Sequence, residues 1–432
     1  MYFFNYIYFI IITFLGLKFL TQKQVLLKSP LNKSQTMVLS GPEMFWILTF
    51  STGLLALSAP GTLNLMAIRL FVLELFCIIG LFIVRNAPVN SPMITMYGIY
   101  IIWLLIGLSY SPAPDYGFRV ILKYLYPFLI ILFASAVVRE KEVFFKASFW
   151  ARAVGVSSIC VFFIPYVSRL FPGVFWYGTA SAINYISMCI FSLSLYCFTD
   201  EKKKNLFFVV LFMLPCIIWV FRTSIMGTTL ALIVFAFFRY KLKSLPVIAG
   251  ALVIFLAIIF TVPSIREKMF FDESKSISQL ESGDITIDDI NSNGRFAIWE
   301  WSLQNYFSVN KIAGSGTGNL QEVFYSLKHP FGTIKICHND YVQILCDNGL
   351  IGIVLFGLSF LFLIGHTFII YLNKNYDTAI RICAITAGAS AAGVLLTMFT
   401  DNVINYTMAT LSYPCGFYGM MLGMLAKYKN YR

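Results

Sequence analysis

The sequence predicts an all-α, polytopic membrane protein of about 12–13 transmembrane helices with one large extracytoplasmic loop. Three observations carry that expectation. The 432-residue chain is 59% hydrophobic and 12% charged, with a mean hydropathy of +0.77, whereas a soluble domain carries about 25% charged residues. Apolar runs of roughly 20 residues recur along it, each long enough to cross a bilayer as a helix. One long polar break, from about Asn291 to Gly352, interrupts those runs. Lipid offers no partner for backbone N–H and C=O groups, so the runs are expected to be helices rather than open sheet.

Residues 2–20 form the first run, without the basic leader of a signal peptide. A basic linker follows, with Lys23, Lys28 and Lys33. Further runs occupy 44–59, 63–84, 93–110, 118–138, 147–166, 180–199, 205–221, 224–239, 245–262, 349–372, 379–399 and 409–426. Basic residues cluster in the short connections: Arg139, Lys141 and Lys146; Lys202, Lys203 and Lys204; Arg239, Lys241 and Lys243; Lys427, Lys429 and Arg432. Such clusters mark the cytoplasmic side, so the net charge of +12 reads as a topology signal rather than a nucleic-acid footprint. Alternation then puts 111–117, 167–179, 222–223 and 263–348 outside, the C-terminus inside and, if every run spans, the N-terminus outside. No internal repeat is visible. The expected organisation is transmembrane helices over 1–262, an extracytoplasmic loop over 263–348 and C-terminal transmembrane helices over 349–432.

The long loop is rich in acid, from Glu267 to Asp340, and its first part, Asp272–Asn293, is polar without period. After Gly294 the pattern changes: Arg295, Trp299 and Leu303 recur every fourth residue, one face of a helix. Glycine and serine break the chain, and a second short helix is expected at Gln321–Leu327, ended by Pro330. Most of the nine cysteines sit in apolar runs as small hydrophobes; Cys337 and Cys346 flank a histidine, but nothing in the spacing is a disulfide framework.

Three patterns lie in the polar break: Gly294-Arg295-Phe296-Ala297-Ile298-Trp299, the glycine-rich turn Gly314-Ser315-Gly316-Thr317-Gly318-Asn319, and His338-Asn339 followed after nine residues by Gly349-Leu350-Ile351-Gly352. In their order and spacing they resemble the O-antigen ligase and polymerase superfamily of bacterial membrane glycosyltransferases. The resemblance implies a GT-C-like bundle of about twelve spans with both ends inside. On that count the first run is either an extra helix or precedes a start near Met37.

The candidate site residues follow from their chemistry and this resemblance. Arg222 lies in the very short outer turn Phe221-Arg222-Thr223-Ser224, against the positive-inside tendency. A snorkelling arginine is the plain alternative; the resemblance favours a phosphate ligand, which the planar guanidinium fork suits. Arg295 alone reads as a solvated helix residue, and with Arg222 it makes a pair for a diphosphate. Arg119 and Lys123, four apart and so on one helix face, are costly within a span unless they meet a cavity or ligand. A lone loop histidine is usually structural, but His338 stands in the family's context and can take a proton from a hydroxyl. Asn339 is placed to cap the helix that carries Tyr341 and Gln343. His338, Arg295 and Arg222 are therefore the expected catalytic residues, and Arg119, Lys123, Asn339, Gly314, Gly316 and Gly349 the expected substrate-binding ones.

A nucleotide-binding reading of the glycine turn would need a preceding strand and a cytoplasmic face, both missing from the pattern. Asp288-Asp289 sits in an acidic segment with no His or Cys cluster beside it, so no metal and no cofactor are expected. The resemblance implies transfer of a glycan from an undecaprenyl-diphosphate carrier to an acceptor hydroxyl, on a glycan or a lipid core, at the outer face of the bacterial inner membrane. The expected partners are that donor, that acceptor and membrane lipid. Polymerase and ligase share these motifs, with polymerase preferred on family expectation. A transporter or lipid flippase is the rival class, supported by the intramembrane charges Arg69, Glu74, Arg119 and Lys123 and opposed by the single motif-bearing loop and the lack of an inverted repeat.

Overall fold

The apolar runs fold as helices whose ends are set by local chemistry. The structure, a computed structural model, describes residues 3–28, 36–58, 64–164, 173–174, 179–218, 221–246, 249–250 and 294–430. In chain order these give α1 (Phe3–Thr21), the strands β1 (Gln24–Lys28) and β2 (Thr36–Ser40), then α2 (Gly41–Thr52), α3 (Leu65–Ile83), α4 (Pro92–Ser109), α5 (Pro114–Val137) and α6 (Lys141–Phe163). After a 3₁₀ turn, Thr179–Tyr185, come α7 (Ile186–Phe198), α8 (Lys202–Ile218) and α9 (Arg222–Tyr240). The motif region supplies α10 (Arg295–Ser302) and α11 (Asn319–Tyr325), and the chain ends in α12 (Asp340–Leu372), α13 (Thr378–Thr397) and α14 (Ser412–Asn430). Most of the run 245–262, the polar segment Asp272–Asn293 and the Asp288-Asp289 pair lie outside the described residues.

The protein is all-α across its membrane part. Seven described helices are long and apolar enough to cross a bilayer: α1, α3, α4, α5, α9 with its extension to Ser244, α12 and α13. The other runs are shorter or more charged. At 12 residues α2 rises only about 18 Å, and the chain continues to Ser58 as irregular backbone. That irregularity is tolerated because it is buried in protein. Arg69 of α3, 1% exposed, donates to the carbonyls of Thr52 (2.5 Å) and Leu55 (2.7 Å), and Tyr413 donates to that of Phe50. The buried arginine that supported a transporter thus satisfies a broken helix.

Within the stretch expected as a plain basic linker, residues 24–28 and 36–40 instead pair as antiparallel strands, Gln24 opposite Ser40 and Lys28 opposite Thr36. Alternation explains it: Leu27, Met37 and Leu39 face the core while Leu26 and Val38 are exposed. The first run is an integral helix. Asn5 is buried and donates to the Ser58 carbonyl (2.6 Å), and Gly16 lets α1 approach Phe45 and Phe76.

Side-chain contacts sort the connections to two ends of the bundle. At one end Lys427 meets Glu140, Tyr428 donates to the Asn375 carbonyl, Lys141 lies 3.9 Å from Asp377, and Arg239 and Arg381 both stack on Phe198. The basic loops gather there. At the other end lie Ser111, Lys123 and residues 294–340, joined to 398–405 by the contacts below.

Candidate functional site

A small hydrophobic cluster of its own holds the motif region on the bundle: Ile298, Trp299, Leu320, Phe324, Cys337, Val342 and Cys346 are buried together. Gly294, at φ 76°, starts α10, and the expected face of that helix turns inward. Trp299 Nε1 donates to the Cys337 carbonyl at 3.0 Å, fixing the residue before His338. The second short helix runs over Asn319–Tyr325, two residues earlier than expected.

The glycine turn is a clasp. Gly316 and Gly318 have φ of 107° and 87°, and a Cβ on either would stand 2.2–2.5 Å from the backbone of Ser111 or Gly117. Its amides already have partners: Ser315 N–H donates to the Cys346 carbonyl, Gly316 N–H to the Asp347 carbonyl and Thr317 N–H to the Gly107 carbonyl. The Asp347 carboxylate, 1% exposed, accepts from the amides of Gly318 (3.0 Å) and Leu320 (2.8 Å), the place an anion would take at the start of α11. At Gly349 (φ 64°, ψ −164°) α12 breaks, and the next two amides donate to the carbonyls of Lys311 and Ile312. Gly314, Gly316 and Gly349, expected to bind substrate, each pack so closely that a Cβ would collide with backbone.

His338 sits at φ 55°, a left-handed conformation that is uncommon outside glycine. The strain is held from both sides. Its N–H donates to Asn402 Oδ1 at 2.6 Å, and Asn339 caps α12 by accepting from the amides of Tyr341 (2.9 Å) and Val342 (3.1 Å). Asn402 also donates to Asp340 Oδ1 (3.0 Å) and Gln343 Oε1 (3.1 Å), while Asp340 Oδ2 accepts from Ile404 N–H. Asp340, counted among the acids of a solvated loop, is fully buried and pins residues 402–404 beneath the histidine. The ring of His338 is 31% exposed, with Nδ1 3.4 Å from Asp401 Oδ1. Asp401 therefore orients the ring from its Nδ1 side, and among the described residues Nε2 has no hydrogen-bond partner.

The arginines reach the same segment. Arg295 Nη1 donates to the Thr400 carbonyl at 2.6 Å. Burial lowers the pKa of its guanidinium and the charge of Asp401 opposes that shift. Thr223, next to Arg222 at the start of α9, accepts from the Thr400 hydroxyl at 2.9 Å. The positive charges of Arg222 and Arg295 act on each other, and Asp401 supplies a negative charge to the same group.

Lys123 lies beside the far end of that segment. Its ammonium donates to Asn405 Oδ1 (2.7 Å) and, weakly, to Gln321 Oε1 (3.5 Å). Arg119 is exposed, its guanidinium 5.2 Å from the Tyr116 ring centroid. Both line a cleft of about 380 Å³ between α3, α5 and α11. The other histidines are occupied: His329 bonds the Ile334 carbonyl and stacks on Phe331, and His366 bonds Tyr418. Among the described residues no three His, Cys, Asp or Glu side chains come together as a metal site.

Sequence reasoning missed Thr400, Asp401 and Asn402, the strip on which His338, Arg295 and the Arg222 turn converge. The available signal was Thr400-Asp401-Asn402 itself, a polar break between two apolar runs.

No curated protein matches the chain. Residues 207–357, about a third of its length, match the model of the O-antigen ligase family. That segment contains Arg222, Arg295, the glycine turn, His338 and Gly349. Over the part that carries its motifs, the chain resembles the O-antigen ligase and polymerase superfamily of membrane glycosyltransferases.

Proposed function

We propose that this protein transfers a glycan from an undecaprenyl-diphosphate carrier to an acceptor hydroxyl during surface polysaccharide assembly. The observation that carries the proposal is the convergence of Arg222–Thr223, Arg295 and His338 on Thr400–Asn402. The O-antigen ligase match supports the reaction class. In this reading the two guanidinium groups hold the donor diphosphate and stabilise the charge that grows on it as the glycosidic bond breaks. The free imidazole edge of His338 takes the proton of the attacking hydroxyl, and Asp401 stabilises the imidazolium that forms. Direct attack inverts the anomeric centre. The donor carries its own leaving group and arginine supplies the positive charge, so the reaction needs no metal and no cofactor. The end with the basic loops is cytoplasmic, which puts the motif region on the outer face of the bacterial inner membrane.

Polymerase is the preferred activity, with the acceptor another carrier-linked repeat; a ligase would use a lipid core or another terminal acceptor. Deleting the gene and resolving surface glycans by length on a gel tests both. Loss of long chains with one repeat unit still on the core fits a polymerase. A bare core with polymer retained on the carrier fits a ligase. An unchanged ladder contradicts the proposal.

A further inference from the structure

At the end of the bundle opposite the motif region, a cleft of about 700 Å³ opens between the close of α1, the paired strands and the last residues of α3 and α5. Its charged lining is Lys23, Arg85 and Arg139 against Glu43 and Glu140. Both acids are already spent. Glu43 Oε2 accepts from the Ser40 amide (2.7 Å) and hydroxyl (2.8 Å), and Glu140 meets Lys427. The cations are not. Half-buried Arg139 donates only to neutral carbonyls, those of Ala87 (3.0 Å), Ala136 (3.4 Å) and Gly423 (3.4 Å). Three of the five N–H groups of a guanidinium are so used, which leaves two for a ligand. Lys23 and Arg85 are exposed and make no hydrogen bond or ion pair among the described residues. Elsewhere among the basic loops Lys427, Lys141 and Lys204 face Glu140, Asp377 and Glu201, so this cleft concentrates charge that nothing in the chain answers.

The surroundings favour an anion carried by a lipid. Ile83 lines the cleft and is 45% exposed, so the cleft reaches the outer surface of the bundle. The two helices that frame it there present apolar side chains outward, Phe14 and Leu17 from α1 and Ile79 and Phe82 from α3. On the strands above, Leu26 and Val38 stand opposite each other and are also exposed. An apolar outer face of this kind beside a cationic cleft matches the boundary between headgroups and acyl chains. Anionic headgroups attract basic residues just outside a span, with an effect of about fivefold in affinity for each cation.

We propose that the cleft of Lys23, Arg85 and Arg139 binds the phosphate of an anionic glycerophospholipid, whose acyl chains lie along the exposed faces of α1 and α3. The two remaining N–H groups of Arg139 grip the phosphate oxygens, and Lys23 and Arg85 supply charge from α1 and α3. The bound headgroup bridges three elements that the chain itself joins only through neutral contacts at this point. It therefore ties α1 and the strands to the bundle and stabilises the folded protein by mass action. The site lies at the far end from His338 and owes nothing to the transfer reaction.

Native mass spectrometry of the delipidated full chain, titrated with phosphatidylglycerol, tests the site. Lys23→Gln/Arg85→Gln changes two exposed side chains that have no partner to lose, and should weaken binding roughly thirtyfold, about fivefold for each charge. Lys203→Gln/Lys243→Gln removes as much charge from exposed positions in the other basic loops and should bind as the wild type does. Phosphatidylglycerol should raise the unfolding temperature of the wild type in detergent and leave that of the cleft variant nearly unchanged. Wild-type affinity in the cleft variant overturns the proposal. Equal weakening in the two double variants also overturns it, showing a diffuse positive surface. Equal affinity for phosphatidylethanolamine, which has no net charge, would reduce the cleft to an apolar groove and contradict the assignment. Release of phosphatidylglycerol by excess inorganic phosphate would do the same, leaving a site for the free anion.

Discussion

Replacing Asp401 by asparagine isolates the interaction that sets His338 apart from an ordinary loop histidine. The change keeps the shape and an oxygen for the Asn402 amide (2.8 Å) but removes the charge 3.4 Å from His338 Nδ1. At that separation and an effective dielectric of about 20, a full charge pair interacts by about 5 kcal/mol. His338 is 31% exposed and the contact is long for a charged hydrogen bond. The realised value therefore falls nearer the 1.5–3 kcal/mol typical of hydrogen bonds to charged groups. It counts where the ring carries the proton, during transfer, so kcat should drop about tenfold to 150-fold at 1.36 kcal/mol per decade. Donor affinity should hold or tighten, because Arg295 loses an acid that partly neutralises it. Turnover and undecaprenyl-diphosphate affinity are measured separately on the purified variant. Full turnover, or lost affinity with kcat intact, would refute the role given to Asp401.

Three further outcomes follow from the same geometry. Arg222→Lys should weaken binding of undecaprenyl diphosphate about tenfold to a hundredfold, since charge is kept but the two-pronged fork is lost; a binding titration showing wild-type affinity would remove Arg222 from the diphosphate site. Gly349→Ala should destabilise the protein by about 3 kcal/mol or more, because the new Cβ would lie 2.2 Å from the Ile312 carbonyl oxygen at φ 64°; it reads out as a lower unfolding temperature in detergent and lower membrane levels. Turnover should survive excess EDTA, and loss restored by magnesium or manganese would point to a metal and back to Asp288 and Asp289.

Much of the helical frame was legible because the lipid imposes one rule on every run: twenty or so apolar residues with polar punctuation. The exceptions are local. The sequence does not reveal that α2 stops at Thr52, because Leu54 and Leu57 keep the run apolar while a distant arginine supplies the missing hydrogen bonds. The candidate site stood out in the sequence where a residue's type is rare in its setting, as with Arg222 in a short turn between two apolar runs and His338 beside a helix cap. It was illegible where the partner lies far along the chain: Asp401 and Asn402 are 63 and 64 residues from His338. Asp340 and Asp347 look like loop acids, and only the fold shows both spent on backbone amides. The glycine turn is likewise spent internally, its amides given to backbone carbonyls and, at Gly318, to the Asp347 carboxylate.

The most direct test of the central claim is transfer by the purified protein from a lipid-linked glycan donor, with His338→Ala beside the wild type at matched membrane levels. The wild type should lengthen the acceptor glycan and release undecaprenyl diphosphate. His338→Ala should bind donor as the wild type does while turnover falls about 10²–10⁴-fold. Wild-type turnover in His338→Ala, or a loss of donor binding like that of Arg222→Lys, would contradict the account.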